Sequence, residues 1–384
     1  MEKETTEIIP KQNFNKKKTK YFRKNLLIFM IFVVNITFIL INIGINNRNF
    51  NNYRKEINYK INNFENILKN YYKFDNIHDK EQDMIKNEEF NDNIKKYYEQ
   101  LQTNFCSNSY DFINKEIENL IEEALVNFNN LTYNIFVYKE NDIISKSIKN
   151  NGVWNENVTY NLISSMDYFT KKKNLSIESV YFIDIGANIG WYSFYLGYLG
   201  YQILSFEPSK FNNYILKKNF CLNRNVNITI INKSFSVQKK NCFLVHKVVN
   251  ISDSAVICNK NISIYNKKYY IEEITLTKLN TYISFLSNKN IGLIAFDLNG
   301  AEEKAIIGGQ ALIVKYHIPF IYMKFMPKLL ENQSTNIKKF LGFFESNNYK
   351  FSIVNFLSKK YISIDELLKK DGVNLYIIYS DFLK

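Results

Sequence analysis

Val180-Tyr-Phe-Ile-Asp184-Ile-Gly186-Ala-Asn188-Ile-Gly190-Trp-Tyr-Ser193, followed one helix length later by Gln202-Ile-Leu-Ser-Phe-Glu207-Pro208, is the stretch whose reading decides the fold. Val180–Ile185 is short and almost wholly apolar, as expected of a parallel strand buried on both faces. Gly186 and Gly190 bracket a turn where bulky side chains would keep a ligand away from the backbone. Residues 191–199 then carry apolar side chains at helical spacing. A second apolar strand, Gln202–Phe206, ends in Glu207, 21 residues after Gly186, and Pro208 stops it. The stretch is one βαβ unit. In a doubly wound sheet the ligand lies beyond the carboxyl ends of the strands, where an acid closing the second strand can accept both hydroxyls of a ribose. Glu207 is placed for that role. The dinucleotide pattern Gly-x-Gly-x-x-Gly is absent.

The same alternation continues downstream. Residues 213–222 read as a helix and residues 226–231 as a third strand, while residues 243–249 and 255–264 suggest an inserted hairpin. Residues 291–296 form a fourth buried strand ending in Asp297, with a helix at 302–315 and a fifth strand at 319–325. Two late strands, at 350–355 and 374–379, flank a short helix at 364–369. Upstream, residues 113–128 are expected to form an amphipathic helix with Ile117, Leu120, Ile121 and Ala124 on one face, so the globular domain is placed at 111–384. Strands alternating with crossover helices make this an α/β chain.

The quoted residues resemble the nucleotide-binding half of the FkbM-type methyltransferases, S-adenosylmethionine-dependent enzymes with a Rossmann-like class I fold. The resemblance reaches back to Asp142-Ile-Ile-Ser-Lys-Ser-Ile-Lys-Asn-Asn-Gly-Val-Trp154 and forward to Phe296-Asp-Leu-Asn-Gly-Ala-Glu, roughly the last two-thirds of the chain. It implies that Asp184, Gly186, Asn188 and Gly190 line the methionine and ribose side of the cofactor, with Glu207 on the ribose. Three positions depart from the family's pattern. Asn299 stands in Asp297-Leu-Asn299-Gly300 where a Glu is usual, Lys324 stands where an acid usually ends the fifth strand, and Asn280 stands for an Asp.

Methyl transfer is an in-line displacement, so the protein must align the reactants and exclude water, and a hydroxyl acceptor benefits from a general base. Asp297, at the carboxyl end of the fourth strand, is the first candidate for that base, with His246 and His317 as alternatives. The implied activity is O-methylation of a glycan or other hydroxylated acceptor. The three altered carboxylate positions keep a catalytically degenerate binding module open as another reading. The topology described next also fits a Golgi-type glycosyltransferase, although no Asp-x-Asp occurs.

At 384 residues and 46% hydrophobic content, the chain can bury a sizeable core. Its net charge is +13, of which eight Lys or Arg minus three Glu in residues 1–24 supply +5. Only four arginines occur, Arg23, Arg48, Arg54 and Arg224, which argues against a nucleic-acid surface. Residues 26–45 form an uncharged run of 20 in which fifteen are Leu, Ile, Phe or Val, long enough for a transmembrane signal anchor. The basic flank puts the tail, 1–25, in the cytosol and the domain in the ER or Golgi lumen or outside the cell. Residues 46–110 read as a stem, partly helical from the spacing of Ile57, Ile61, Phe64 and Leu68, or disordered. Cys106, Cys221, Cys242 and Cys258 lack metal-ligand spacing, so no metal site is expected. They are open to any of three pairings or to none. Asn130, Asn157, Asn227 and Asn332 head Asn-x-Ser/Thr sequons, a weak sign in a chain this rich in Asn.

Overall fold

The apolar runs flagged above assemble side by side into one sheet. In this computed structural model the described residues are 91–107, 117–140, 142–247, 250–258, 269–333 and 335–384. The anchor expected at 26–45 and the helical seam expected at 57–68 lie outside them. Among the described residues, no helix is long and apolar enough to cross a membrane.

In chain order the elements begin with helix α1, Asp92–Ser107, and the strand pair β1, Ile121–Phe128, and β2, Leu131–Tyr138. Helices α2, Ile143–Asn151, and α3, Glu156–Lys172, lead into β3, Val180–Ile185. There follow α4, Trp191–Tyr198; β4, Gln202–Phe206; α5, Lys210–Leu222; and β5, Ile228–Ile231. An inserted sheet comprises β6, Ser234–Phe235; β7, Lys240–Lys247; β8, Asn250–Ile257; and β9, Tyr269–Thr277. The chain then forms β10, Asn290–Phe296; α6, Glu302–Gly308; α7, Gln310–Tyr316; β11, Phe320–Phe325; and α8, Pro327–Asn332. It closes with α9, Ile337–Ser346; β12, Tyr349–Ser352; and β13, Val373–Tyr379.

The main sheet has the order β12-β13-β11-β10-β3-β4-β5. Strands β5, β4, β3, β10 and β11 are mutually parallel, and β13 runs antiparallel between β11 and β12. The chain moves outward from β3 through β4 to β5 and then returns to β10 on the other side of β3. That reversal makes a topological switch point, where an α/β sheet opens a crevice for ligand. β3 is buried along its whole length, with Phe182 packing into one layer and Tyr181, Ile183 and Ile185 into the other. Side chains of α3, α4 and α5 cover the first face, and those of α6, α7 and α9 cover the second.

Two expectations are corrected. Residues 113–128 are not one amphipathic helix, because Ile121–Phe128 is a strand paired antiparallel with Leu131–Tyr138. Ala124, Val126 and Phe128 are buried at alternate positions, the period of a strand, and Asn129 and Asn130 turn the chain with φ of 48° and 64°. Asn tolerates that left-handed conformation, so the two asparagines make a hairpin turn that ends any helix. The expected helix at 302–315 is two helices, broken at Gly308-Gly309.

The stretch read as a stem also contributes to this fold. Tyr98 of α1 is buried against the sheet, and Gln102 donates to Ile228 O at 3.0 Å and accepts from Ile230 N–H at 2.8 Å. That side chain satisfies an edge strand which would otherwise expose unpaired backbone. Disulfides join Cys106 to Cys221, tying α1 to α5, and Cys242 to Cys258 in the inserted sheet.

Candidate active site

A cleft of about 290 Å³ opens at the carboxyl ends of β3, β4, β10 and β11. Gly186, Asn188, Glu207 and Asp297 all line it, together with Trp154, Tyr192, Ser234, Asn299 and Lys324. Asp184 and Gly190 do not line it and act from behind the wall.

The wall depends on the glycine turn. Gly186 has φ of +91°, and a Cβ there would lie 2.2 Å from Asp297 O, so only hydrogen lets the first and fourth strand ends approach. Asn188 takes φ of 54° and aims its N–H at Glu207 Oε2, 2.8 Å away. Gly190, with φ of +96°, starts α4 against Leu216 and Phe194. Behind the turn, Asp184 Oδ2 accepts from Ser193 Oγ at 2.6 Å, fastening α4 to β3. Burial lifts the Asp184 carboxyl to about 7, and the Ser193 hydroxyl pulls the other way.

Glu207 is 4% exposed. Besides Asn188, the Ser209 N–H donates to its Oε1 at 2.8 Å. Burial raises this carboxyl to about 7, opposed by the hydrogen bonds from Ser209 and Asn188. Two backbone donors fix the carboxylate while leaving lone pairs for further donors, as a vicinal diol needs. Directly behind it lies a buried network in which Ser209 Oγ donates to Glu272 Oε1 at 2.9 Å and Lys210 N–H donates to Oε2 at 2.7 Å. His246 Nε2 stands 2.8 Å from the same Glu272. His246 is thus a buried link to the inserted sheet, and His317 caps α7 and stacks on Tyr379 at 4.7 Å. Neither histidine lines the cleft.

At the other end, Asp297 Oδ1 lies 3.7 Å from Lys324 Nζ, and both side chains are about one-third exposed. The loop carrying Asp297 is organised by Glu302, whose Oε1 accepts from Leu298 N–H and Oε2 from Gly300 N–H, each at 2.9 Å. Burial lifts Glu302 to about 7, against the pull of its backbone donors. Sequence reasoning missed Glu302; its only signal is an acid in the first turn after the strand-end loop. It also missed Tyr192, Trp154 and Ser234, which become cleft residues only once the elements pack.

The three departures separate in space. Asn299 lines the cleft and donates from Nδ2 to Ser254 O at 3.3 Å, tying the Asp297 loop to the inserted hairpin. Lys324 also lines the cleft. Asn280 does not; its Oδ1 accepts from Leu312 N–H at 3.2 Å, a structural bond that an Asp could equally make.

Residues 184–351 match the family model described as the methyltransferase FkbM domain. Over that region the chain is similar to FkbM methyltransferase domains. The matched region begins at Asp184 on β3 and ends on β12, so it takes in the glycine turn, Glu207, Asp297 and Lys324. It does not include residues 142–154. No curated protein matches the chain. Among solved structures, WbdD is similar at 10% identity over 58% of this chain and 40% of that one, with a TM-score of 0.35. This chain therefore spans about two-fifths of WbdD's length. Precorrin-6y C5,15-methyltransferase from Geobacter metallireducens GS-15 is similar at 12% identity over 56% of this chain and 86% of that one, TM-score 0.30. Magnesium protoporphyrin IX methyltransferase from Synechocystis PCC 6803, solved with bound SAM, is similar at 10% identity over 62% and 84%, TM-score 0.31.

The cleft's own donors and acceptors suit S-adenosylmethionine. Asn188 Oδ1 and Ser234 Oγ are buried without a hydrogen-bond partner among the described residues, and both residues line the cleft beside Glu207. Buried orphans of this kind are uncommon in folded proteins and point to a missing ligand or water. The volume lies near the lower end of the ~300–1,000 Å³ usual for small-molecule sites.

Proposed function

We propose that the chain is an S-adenosylmethionine-dependent methyltransferase that modifies an oxygen of a hydroxylated acceptor such as a glycan. The observation that carries this reading is Glu207, fixed by the Asn188 and Ser209 amides at one end of a cleft whose other end presents Asp297. Glu207 would hold the ribose hydroxyls, with Asn188 and Ser234 supplying the unpartnered acceptor and hydroxyl. When bound, the sulfonium supplies an electrophilic methyl group. Asp297 would take the proton of the acceptor hydroxyl, while Trp154, Met326 and Leu329 keep water from the cleft.

The membrane setting belongs to the same proposal: residues 26–45 anchor the chain, and the domain lies in the ER or Golgi lumen or outside the cell. Two disulfides support an oxidising compartment. The Asp297–Lys324 pair favours a second reading, a binding module without turnover, since it engages the candidate base.

The test is methyl transfer from radiolabelled S-adenosylmethionine to a pool of glycosides by the full-length chain. Asp297→Asn should lower transfer by about 10²–10⁴-fold, the usual worth of a general base, with cofactor affinity unchanged. Wild-type chain that binds the cofactor and transfers nothing supports the binding module instead.

A further inference from the structure

The strand order gives the cleft a scale. Glu207 closes β4 and Lys324 lies on β11, three strands along, or roughly 14 Å at about 4.8 Å per strand. The ribose acid and the lysine therefore mark opposite ends of the site.

Lys324 is directed to its end by the alternation of β11. Ile321, Met323 and Phe325 pack into one core layer, while Phe320 and Tyr322 face the other. Lys324 follows Tyr322 on that face, where Tyr192 of α4 stands 6.3 Å from the Tyr322 ring. The Tyr322 hydroxyl donates to Asn374 Oδ1 at 3.0 Å, so it is committed below the cleft floor. Lys324 is the next residue on this face and emerges into the cleft, 39% exposed at the side chain. Leu298, Met326 and Leu329 line the same cleft, and apart from Glu207 its charged lining residues are Asp297 and Lys324.

Their contact is loose. At 3.7 Å it is longer than the ~2.7–3.2 Å of a direct hydrogen bond. An ammonium has three donors, and an ion pair about one-third exposed is worth little, about 0–1 kcal/mol. A ligand anion can replace it at small loss. A family acid at this position would repel such an anion; the lysine attracts it.

We propose that Lys324 binds an anionic group of the acceptor, a carboxylate or phosphate, and so brings a hydroxyl a few atoms away on the same molecule to Asp297. The 3.7 Å between the two side chains suits a sugar acid or sugar phosphate, in which anion and hydroxyl sit on neighbouring carbons. Outside the basic tail of residues 1–24, which holds +5 of the chain's +13, the remaining net charge of +8 favours approach of such an acceptor. This inference rests on the methyl-transfer reading and names the class of its acceptor.

The test is calorimetric binding of methyl β-D-glucuronide, glucose 1-phosphate and methyl β-D-glucoside to the full-length chain, with and without S-adenosylhomocysteine. One or both anionic probes should bind at least about tenfold tighter than the glucoside, as one charge-assisted hydrogen bond allows. The probe that binds distinguishes carboxylate from phosphate. Lys324→Met should abolish the preference, Lys324→Arg should retain it, and neither should alter affinity for S-adenosylhomocysteine. The inference is overturned if the glucoside binds as well as both anions, if no probe binds, or if Lys324→Met keeps the preference. It is also overturned if Lys324→Met weakens S-adenosylhomocysteine, since Lys324 would then hold the cofactor's own carboxylate. Wild-type chain that binds no S-adenosylhomocysteine contradicts the methyl-transfer reading separately, with the anion preference read from the probes alone.

Discussion

Asp184 shows how a single residue in this fold couples burial to pH. It is 3% exposed, and its carboxyl is lifted from the ordinary 3.8 to about 7 by burial. Between those values the folded chain keeps a proton that the unfolded chain has released. Stability from this group is therefore greatest below the unfolded value and is lost as pH rises towards 7. Asp184→Asn, which keeps an acceptor for Ser193, should show a melting-temperature deficit against wild type at pH 5 that shrinks by pH 8. Thermal melts across that range check it, and a constant or widening deficit contradicts the assignment. Asp184, Gly186, Asn188, Gly190 and Glu207 could be singled out from the sequence because they lie within one βαβ unit. Their division into cleft residues and supporting residues could not, since it depends on which side of the glycine turn each faces.

At the scale of elements, the hairpin of β1 and β2 is pinned to the glycine turn by Asn219 of α5, which donates to both Phe136 O and Ile189 O. Its own turn depends on Asn129 and Asn130 in the left-handed region. Asn129→Val should cost about 1–2 kcal/mol, measured by denaturant unfolding, because a branched side chain is strained there. Asn129→Gly should be tolerated or stabilising; equal effects of the two substitutions would contradict the turn. This hairpin was misread because Ile117, Leu120, Ile121 and Ala124 also satisfy a helical period. The decisive sign, two adjacent asparagines between alternating apolar residues, is weak in so Asn-rich a chain. The buried parallel strands were legible because β3, β4, β10 and β11 read as apolar runs. The strand Tyr269–Thr277 was not, since exposed Glu273 and buried Glu272 break its pattern.

For the whole molecule, the disulfides bind segments that the sequence could not pair, because four cysteines allow three connectivities. Cys106–Cys221 spans 115 residues and Cys242–Cys258 spans 16. By loop entropy the longer link should stabilise more, about 4–5 kcal/mol against about 3. Chemical denaturation of the paired Ser variants checks that order, and equal losses contradict it. A chain cut at residue 111, the expected start of the globular domain, would lose α1, Cys106 and the cover over β5.

The central claim is that the cleft holds S-adenosylmethionine through Glu207, and calorimetry on the full-length chain beside Glu207→Ala tests it most directly. The account predicts that wild type binds and that the substitution weakens binding about ten- to a hundredfold, the loss of one charge-assisted hydrogen bond. A folded wild-type chain that does not bind, or an alanine variant that binds equally well, would contradict it.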